Sequence, residues 1–243
     1  QKPEVALAAP KEIDWHDWLK GESPECEAVK LDAEDPLYIL YTSGSSGAPK
    51  GVVYTKRWVV ELLLDLSGYC SDKNLVDTLA IEPATGDGAF LGPMIERLIE
   101  SCGNLGRSLA ECDHSLIAYE LDEKSAARAR AVAQNILTNR GVKRPLAKRL
   151  AEAWVLNRDY LLDADSTQAD FIIGNPPYIR LEDIPEESAS VYRDAYPTMR
   201  GRADLYVAFF EAALRQLKRS GVCAFICADR WMRNQYGAEL RRL

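Results

Sequence analysis

Thr78-Leu79-Ala80-Ile81-Glu82-Pro83-Ala84-Thr85-Gly86-Asp87-Gly88-Ala89-Phe90 is the stretch on which the fold of this chain turns. Thr78–Ile81 predicts a short apolar strand. Gly86 and Gly88 permit a tight turn and a close backbone approach to a ligand. A helix is predicted from about Ala89 to Glu100, and its N-terminus suits a carboxylate or phosphate. A glycine turn by itself fits either a cofactor cradle or a plain strand-to-helix connection.

Working outward, the same alternation continues on both sides. Upstream, Val59, Val60, Leu62, Leu63, Leu64 and Leu66 give an apolar helix face beginning after Thr55. Downstream, Ser115–Glu120 predicts a strand and Glu123–Asn139 an Ala- and Arg-rich helix. A basic segment with Pro145 leads through a further helix to a strand near Trp154–Asn157. Asp170–Gly174 is the next strand, Asp204–Arg219 an amphipathic helix, and Val222–Ala228 a last strand. Strands alternating with helices predict an α/β protein: a Rossmann-like, doubly wound, mostly parallel sheet covered on both faces. No internal repeat is visible.

Ligands of such sheets bind at the carboxyl ends of the strands, and candidate residues cluster there. Beside the glycine turn, Glu120 ends the second strand, where a carboxylate can accept both hydroxyls of a ribose. Asp122 lies close enough to compete for that role, but a charge at a helix N-terminus is its simpler reading. Asp159, after the third strand, fits either a solvated loop acid or an acceptor for an adenine amino group, with Tyr160 or Leu161 on the ring. Asn175-Pro176-Pro177-Tyr178 follows the apolar run Phe171-Ile172-Ile173-Gly174. Consecutive prolines hold the backbone extended. The Asn175 side chain and the Pro176 carbonyl can then accept hydrogen bonds from one exocyclic amino group, while Tyr178 stacks on the ring.

These motifs resemble those of the S-adenosylmethionine-dependent DNA adenine-N6 methyltransferases, in particular the large enzymes of restriction-modification systems. Residues 82–90 match the cofactor loop, Tyr119-Glu120-Leu121-Asp122 the ribose motif, and Arg158-Asp159-Tyr160-Leu161 the adenine motif. Gly201-Arg202-Ala203-Asp204-Leu205-Tyr206 and Ala228-Asp229-Arg230-Trp231 resemble the segments that follow catalysis. Tyr54-Thr55-Lys56 resembles the motif preceding the cofactor loop. The family usually has Thr-Pro there, so the departure weakens Lys56 as a contact and leaves Thr55. The resemblance spans nearly all of residues 54–243. It implies a class I methyltransferase fold with S-adenosylmethionine as cofactor and no metal. It assigns the cofactor to Thr55, Glu82, Ala84, Gly86, Gly88, Phe90, Glu120, Asp159 and Tyr160, and catalysis to Asn175, Pro176, Pro177 and Tyr178. The implied substrate is an adenine flipped out of duplex DNA.

The bulk composition agrees. The chain has 243 residues, 47% hydrophobic, with a net charge of -7. No global basic signal for nucleic acid exists. The six cysteines form no Cys-x-x-Cys pair, and Cys223 and Cys227 read as buried thiols in an apolar run, so a reducing, cytoplasmic setting without structural zinc is expected. His16 and His114 have no partner at ligand spacing. No apolar run is long enough to span a membrane and no signal peptide is visible.

The first 53 residues differ. They carry 10 acidic and 5 basic side chains, against 27 and 25 in the remainder. They read as an irregular extension with a short helix near Trp15–Lys20, a strand at Leu37–Tyr41, and a loop of small residues from Thr42 to Gly51. Tyr41–Gly51 resembles the phosphate-binding loop of acyl-adenylate-forming enzymes. Pro24-Glu25-Cys26-Glu27 and residues 32–38 extend the resemblance to acetyl-CoA synthetase. The later motifs of that family have no counterpart, so residues 1–53 are expected to be an incomplete synthetase-like fragment whose loop does not bind ATP.

Three readings are therefore carried forward. The first is a DNA adenine-N6 methyltransferase, or one acting on protein glutamine, RNA or cytosine N4, which share the tetrapeptide. The second is an AMP-forming acyl-CoA synthetase fragment, and the third an inactive fusion remnant. Methyl transfer to duplex DNA separates the first from acyl-dependent pyrophosphate release. The last strands of the fold and a target-recognition domain are expected to be absent, which leaves an open sheet edge.

Overall fold

The computed structural model describes residues 55–163, 167–199, 203–233 and 237–242, all within the second of two compact units, Leu40–Leu243. The expectations for the helix near 15–20, the strand at 37–41 and the loop at 42–51 fall outside the described residues.

Five strands form one parallel sheet: β1 (Ala80–Glu82), β2 (Leu116–Tyr119), β3 (Val155–Leu156), β4 (Ala169–Gly174) and β5 (Leu217–Phe225), in the order β3-β2-β1-β4-β5. Helices connect them: α1 (Arg57–Ser67) before β1, α2 (Leu91–Leu105) between β1 and β2, and α3 (Glu123–Asn139) and α4 (Arg144–Trp154) between β2 and β3. They continue with α5 (Tyr160–Asp163), α6 (Glu186–Ala195), α7 (Tyr206–Gln216) and α8 (Arg230–Arg233). The order reverses at β1, whose neighbours are β2 on one side and β4 on the other. Sequence-adjacent strands separate there, so a crevice opens at their carboxyl ends.

Helices on both faces bury the central strands, and two cores result. One lies between the sheet and α1–α4 and contains Val60, Leu64, Ala80, Phe90, Met94, Ala129, Trp154 and Ile173. The other contains Ile81, Tyr119, Tyr160, Ile172, Tyr192, Tyr206 and Phe209. Ala80 and Ile81 thus point to opposite cores, as successive strand residues must. The Trp154 indole N–H donates to the Cys112 carbonyl at 2.8 Å, tying the end of α4 to the approach to β2. At the described sheet's edge, β5 is half-exposed along most of its length.

The expected order of elements is observed, with shifted boundaries. α2 begins two residues late and runs to Leu105, five residues past the expected end at Glu100. α7 stops at Gln216 rather than Arg219, because Leu217 already pairs with Ala169 of β4. Trp154 closes α4 instead of opening β3, and β5 ends at Phe225 rather than Ala228. Cys223 and Cys227 are half-buried rather than buried. Among the described residues, no helix is long and apolar enough to cross a membrane.

Candidate active site

The crevice at β1 and β4 brings most of the candidate residues together. β1 ends at Glu82 and the chain turns through Pro83–Phe90 into α2. Gly86 has φ +53° and Gly88 φ +86°, in the left-handed region that favours glycine. The Thr85 amide donates to the Tyr119 carbonyl at 2.9 Å and the Gly88 amide to the Thr85 carbonyl at 2.9 Å. The turn is therefore held against the end of β2.

Glu120, the first residue after β2, links the two. One carboxylate oxygen accepts from the Gly86 amide at 2.8 Å and the other from the Asp122 amide at 2.9 Å. A carboxylate has about four acceptor positions, so two remain for a ligand's hydroxyls. Asp122 does something different. It caps α3, accepting from the Ser125 amide at 2.8 Å, and that bond holds its carboxyl below the ordinary range. The simpler reading of Asp122, a charge at a helix N-terminus, is the position it occupies.

Glu82 and Phe90 sit deeper than a ligand contact requires. Phe90 is 2% exposed and its ring belongs to the first core. Glu82 is 1% exposed. Burial pushes its carboxyl from the ordinary 4.5 up to about 8; the Thr85 hydroxyl and the Leu91 and Phe90 amides pull the other way, and the Glu120 charge adds to the rise. Both residues shape the turn from beneath. The folded protein keeps the Glu82 proton up to about pH 8, whereas the unfolded chain releases it near 4.5. The folded state binds more protons in that window, so this contribution to stability is full below it and is lost as pH rises through it. Glu82→Gln keeps the shape without a charge to bury. It is expected to flatten the fall in thermal midpoint between about pH 5 and about pH 8. An unchanged slope relative to the parent would show that Glu82 is ionised throughout.

On the other side of β2, Asp159 follows β3. One of its oxygens accepts from the Leu161 amide at 2.8 Å and the other from the Tyr192 hydroxyl of α6 at 2.6 Å. The Tyr196 hydroxyl donates to the Leu161 carbonyl. Tyr192 of α6 and Tyr196, the residue just past its end, therefore grip the Asp159 loop, a contact the sequence did not reveal. Tyr160 does not face the crevice. It is 2% exposed, with its ring 5.3 Å from Tyr119 and 5.5 Å from Phe209. Its ring belongs to the second core, as does Leu161, the alternative candidate for the ring contact.

β4 delivers the tetrapeptide. A Cβ on Gly174 would stand 3.2 Å from Pro83 Cδ, so this glycine lets the Asn175 corner press against the cofactor turn. The Asn175 amide nitrogen donates to Thr55 Oγ1 at 3.2 Å. Its oxygen Oδ1 is buried and has no hydrogen-bond partner among the described residues. Pro176 is buried and Pro177 half-buried. The Tyr178 hydroxyl donates to the Ile226 carbonyl at 2.7 Å, and its ring lies 6.0 Å from that of Tyr206. Anchored at its tip and 43% exposed, it presents a ring to solvent. An isolated bridge between Arg180 and Asp204 closes the following excursion back on the corner. Ala84 is half-buried beside the second core. Thr55, expected among the cofactor contacts, is the partner in that Asn175 bond.

A profile of the family described as Eco57I restriction-modification methylase matches residues 99–243, and one described as AMP-binding enzyme matches residues 2–83. The chain is 40% identical over 198 residues to the type II methyltransferase M.XhoI of Xanthomonas vasicola, covering 80% of this chain and 36% of that protein. To M.BstVI of Geobacillus stearothermophilus it is 40% identical over 202 residues, covering 79% and 36%. The chain thus spans little more than a third of the methyltransferases it matches. A further 51 residues are 51% identical to acetyl-coenzyme A synthetase of Syntrophobacter fumaroxidans, 21% of this chain and 8% of that enzyme. The expected synthetase resemblance at the N-terminus is borne out.

Among solved structures, a Listeria monocytogenes protein described as a class I S-adenosylmethionine-dependent methyltransferase aligns with TM-score 0.51 at 16% identity, over 76% of this chain and 49% of its own. The modification subunit of a type I restriction enzyme from Vibrio vulnificus aligns with TM-score 0.51 at 18% identity, over 79% and 38%. At such identity the likeness shows the fold, which is the class I methyltransferase fold. The AMP-binding match runs on to residue 83, yet α1 and β1 share one core with β4 through Val60, Leu64, Ala80 and Ile173.

Proposed function

This chain belongs to the Eco57I restriction-modification methylase family, and we propose that it transfers a methyl group from S-adenosylmethionine to the exocyclic N6 of adenine in DNA. The observation that carries this reading is the buried Oδ1 of Asn175, without a partner among the described residues, at the switch point of the sheet. A buried acceptor without a donor is costly, and a planar amine brings that donor.

The residues fit the cofactor. Gly86 and Gly88 give the backbone close approach, Ala84 lines the turn, and Glu120 offers acceptor positions to ribose hydroxyls. Asp159 keeps acceptor capacity for the adenine amino group. Glu82, Phe90 and Tyr160 support these from the two cores. When bound, S-adenosylmethionine supplies a methyl group activated by a sulfonium centre. The target's amino group is a poor nucleophile because its lone pair is delocalised into the ring. Asn175 Oδ1 and the Pro176 carbonyl accept hydrogen bonds from its two N–H groups and so localise that lone pair on nitrogen. Tyr178 offers its exposed ring to a base flipped from the duplex, and Pro177 fixes the corner. No side-chain nucleophile takes part.

We place the catalytic domain at residues 54–243 and an incomplete acetyl-CoA synthetase-like segment at 1–53, whose 42–51 loop does not bind ATP. With DNA as its substrate, the reaction takes place in the cytoplasm. The test is to offer methyl-labelled S-adenosylmethionine with DNA, RNA and protein in separate reactions. Label is expected in DNA. Label in RNA or in protein glutamine instead would replace this reading with one of its alternatives.

A further inference from the structure

We infer that Thr55 is a positioning residue for catalysis, holding the Asn175 amide so that its oxygen, and not its nitrogen, faces the reacting amine. This deepens the methyltransferase reading and rests on it. It also moves Thr55 from the cofactor to the catalytic corner.

An asparagine amide has two unlike faces, one accepting and one donating. Only the accepting face can accept a hydrogen bond from an amine N–H and so localise its lone pair. Turned the other way, the NH2 group would meet the amino protons of the substrate and repel them. The corner must therefore choose between two orientations of nearly identical shape. Asn175 sits immediately beyond β4 with one side-chain bond among the described residues, from Nδ2 to Thr55 Oγ1 at 3.2 Å. The opposite atom, Oδ1, is left buried and unpartnered. The bond to Thr55 and the empty acceptor are two consequences of one orientation.

Thr55 is well placed to hold it. It lies half-buried, two residues before α1, across 120 residues of sequence from Asn175. α1 is fixed on the sheet by Val60 and Leu64, which are fully buried in the core that also contains Ile173 of β4. The helix thus carries the threonine hydroxyl to the carboxyl end of the strand that bears Asn175. The neighbouring Lys56 is exposed and takes no part in this bond.

The experiment compares Thr55→Val, nearly isosteric but without the hydroxyl, with Thr55→Ser, which keeps it. Turnover is measured at saturating DNA and S-adenosylmethionine, and cofactor affinity by calorimetry, on the full chain. T55V is expected to lower kcat by about 10- to 100-fold, as misplacement of a catalytic group does. Its cofactor Kd should stay within about twofold, and T55S should recover kcat to within about threefold. The inference is overturned if T55V keeps kcat within about twofold, if T55S fails to recover it, or if T55V instead raises Kd about tenfold at unchanged kcat, the mark of a cofactor contact. If the unmodified chain transfers no methyl group to any substrate, that result strikes the methyltransferase reading itself. The orientation is then read from the Asn175 side-chain amide protons. Slow exchange with water in the unmodified chain and T55S, and fast exchange in T55V, sustains it; equal exchange in all three overturns it.

Discussion

Asn175→Ala is expected to lower methyl transfer by about a thousandfold, while S-adenosylmethionine binds with nearly unchanged affinity. The asymmetry follows from position. Asn175 stands after β4, and its side chain contacts Thr55 rather than the glycine turn or Glu120. Removing it deletes the acceptor that localises the amine lone pair, and leaves the turn and the Glu120 bonds in place. The loss is therefore confined to the step in which charge redistributes. Asn175→Asp is a useful companion, because a carboxylate still accepts. It should retain more activity than the alanine variant. Rate at saturating substrates and calorimetric cofactor affinity check this prediction together, and a variant that fails only to bind cofactor would move Asn175 out of the chemistry.

Glu120→Ala is expected to do the reverse, weakening S-adenosylmethionine binding by about 100-fold, the equivalent of losing two hydrogen bonds to a charged group. Two effects combine. The acceptor positions for ribose hydroxyls disappear, and the Gly86 and Asp122 amides lose the oxygens they donate to at 2.8 and 2.9 Å. The glycine turn then loses its tie to the end of β2. Because Glu120 is half-buried beside the buried Glu82, its removal also relieves the charge that helps raise the Glu82 carboxyl. Folding should survive, and a thermal midpoint close to the parent's separates lost binding from lost structure. Calorimetry showing affinity within about threefold of the parent would exclude Glu120 as a cofactor residue.

Much of this architecture was legible because its determinants are local. The run from Thr78 to Phe90 encodes strand, turn and helix in order, and positive φ at two glycines is a requirement a sequence displays openly. The same holds for Asp170–Gly174 and the prolines after it. Boundaries were less legible where pairing decided them. Nothing local stops α7 at Gln216; the register of Leu217 with Ala169 does so from 48 residues away. Burial was not legible at every candidate residue. Tyr160 and Phe90 lie within matching motifs, yet the cores on either side of the sheet take their rings. Tyr192, Tyr196 and Gly174 escaped notice for a related reason. Each matters through a partner far along the chain: Asp159, the Leu161 carbonyl and Pro83. The Thr55–Asn175 bond is the longest such case, and its cofactor assignment came from a motif, with no view of the partner.

The synthetase-like segment follows different logic. It is 51% identical over 51 residues to one synthetase, and the AMP-binding match runs from residue 2 to residue 83. The helix α1 lies inside that span yet is built into the methyltransferase core, and the boundary at residue 54 is our proposal.

The most direct measurement is the identity of the methylated nucleoside. DNA is incubated with the protein and S-adenosylmethionine, digested, and its nucleosides resolved by mass spectrometry. The account predicts N6-methyl-2′-deoxyadenosine from the unmodified protein and its near-complete loss from Asn175→Ala. N4-methyl-2′-deoxycytidine as the product, or undiminished N6-methyladenine from Asn175→Ala, would contradict it.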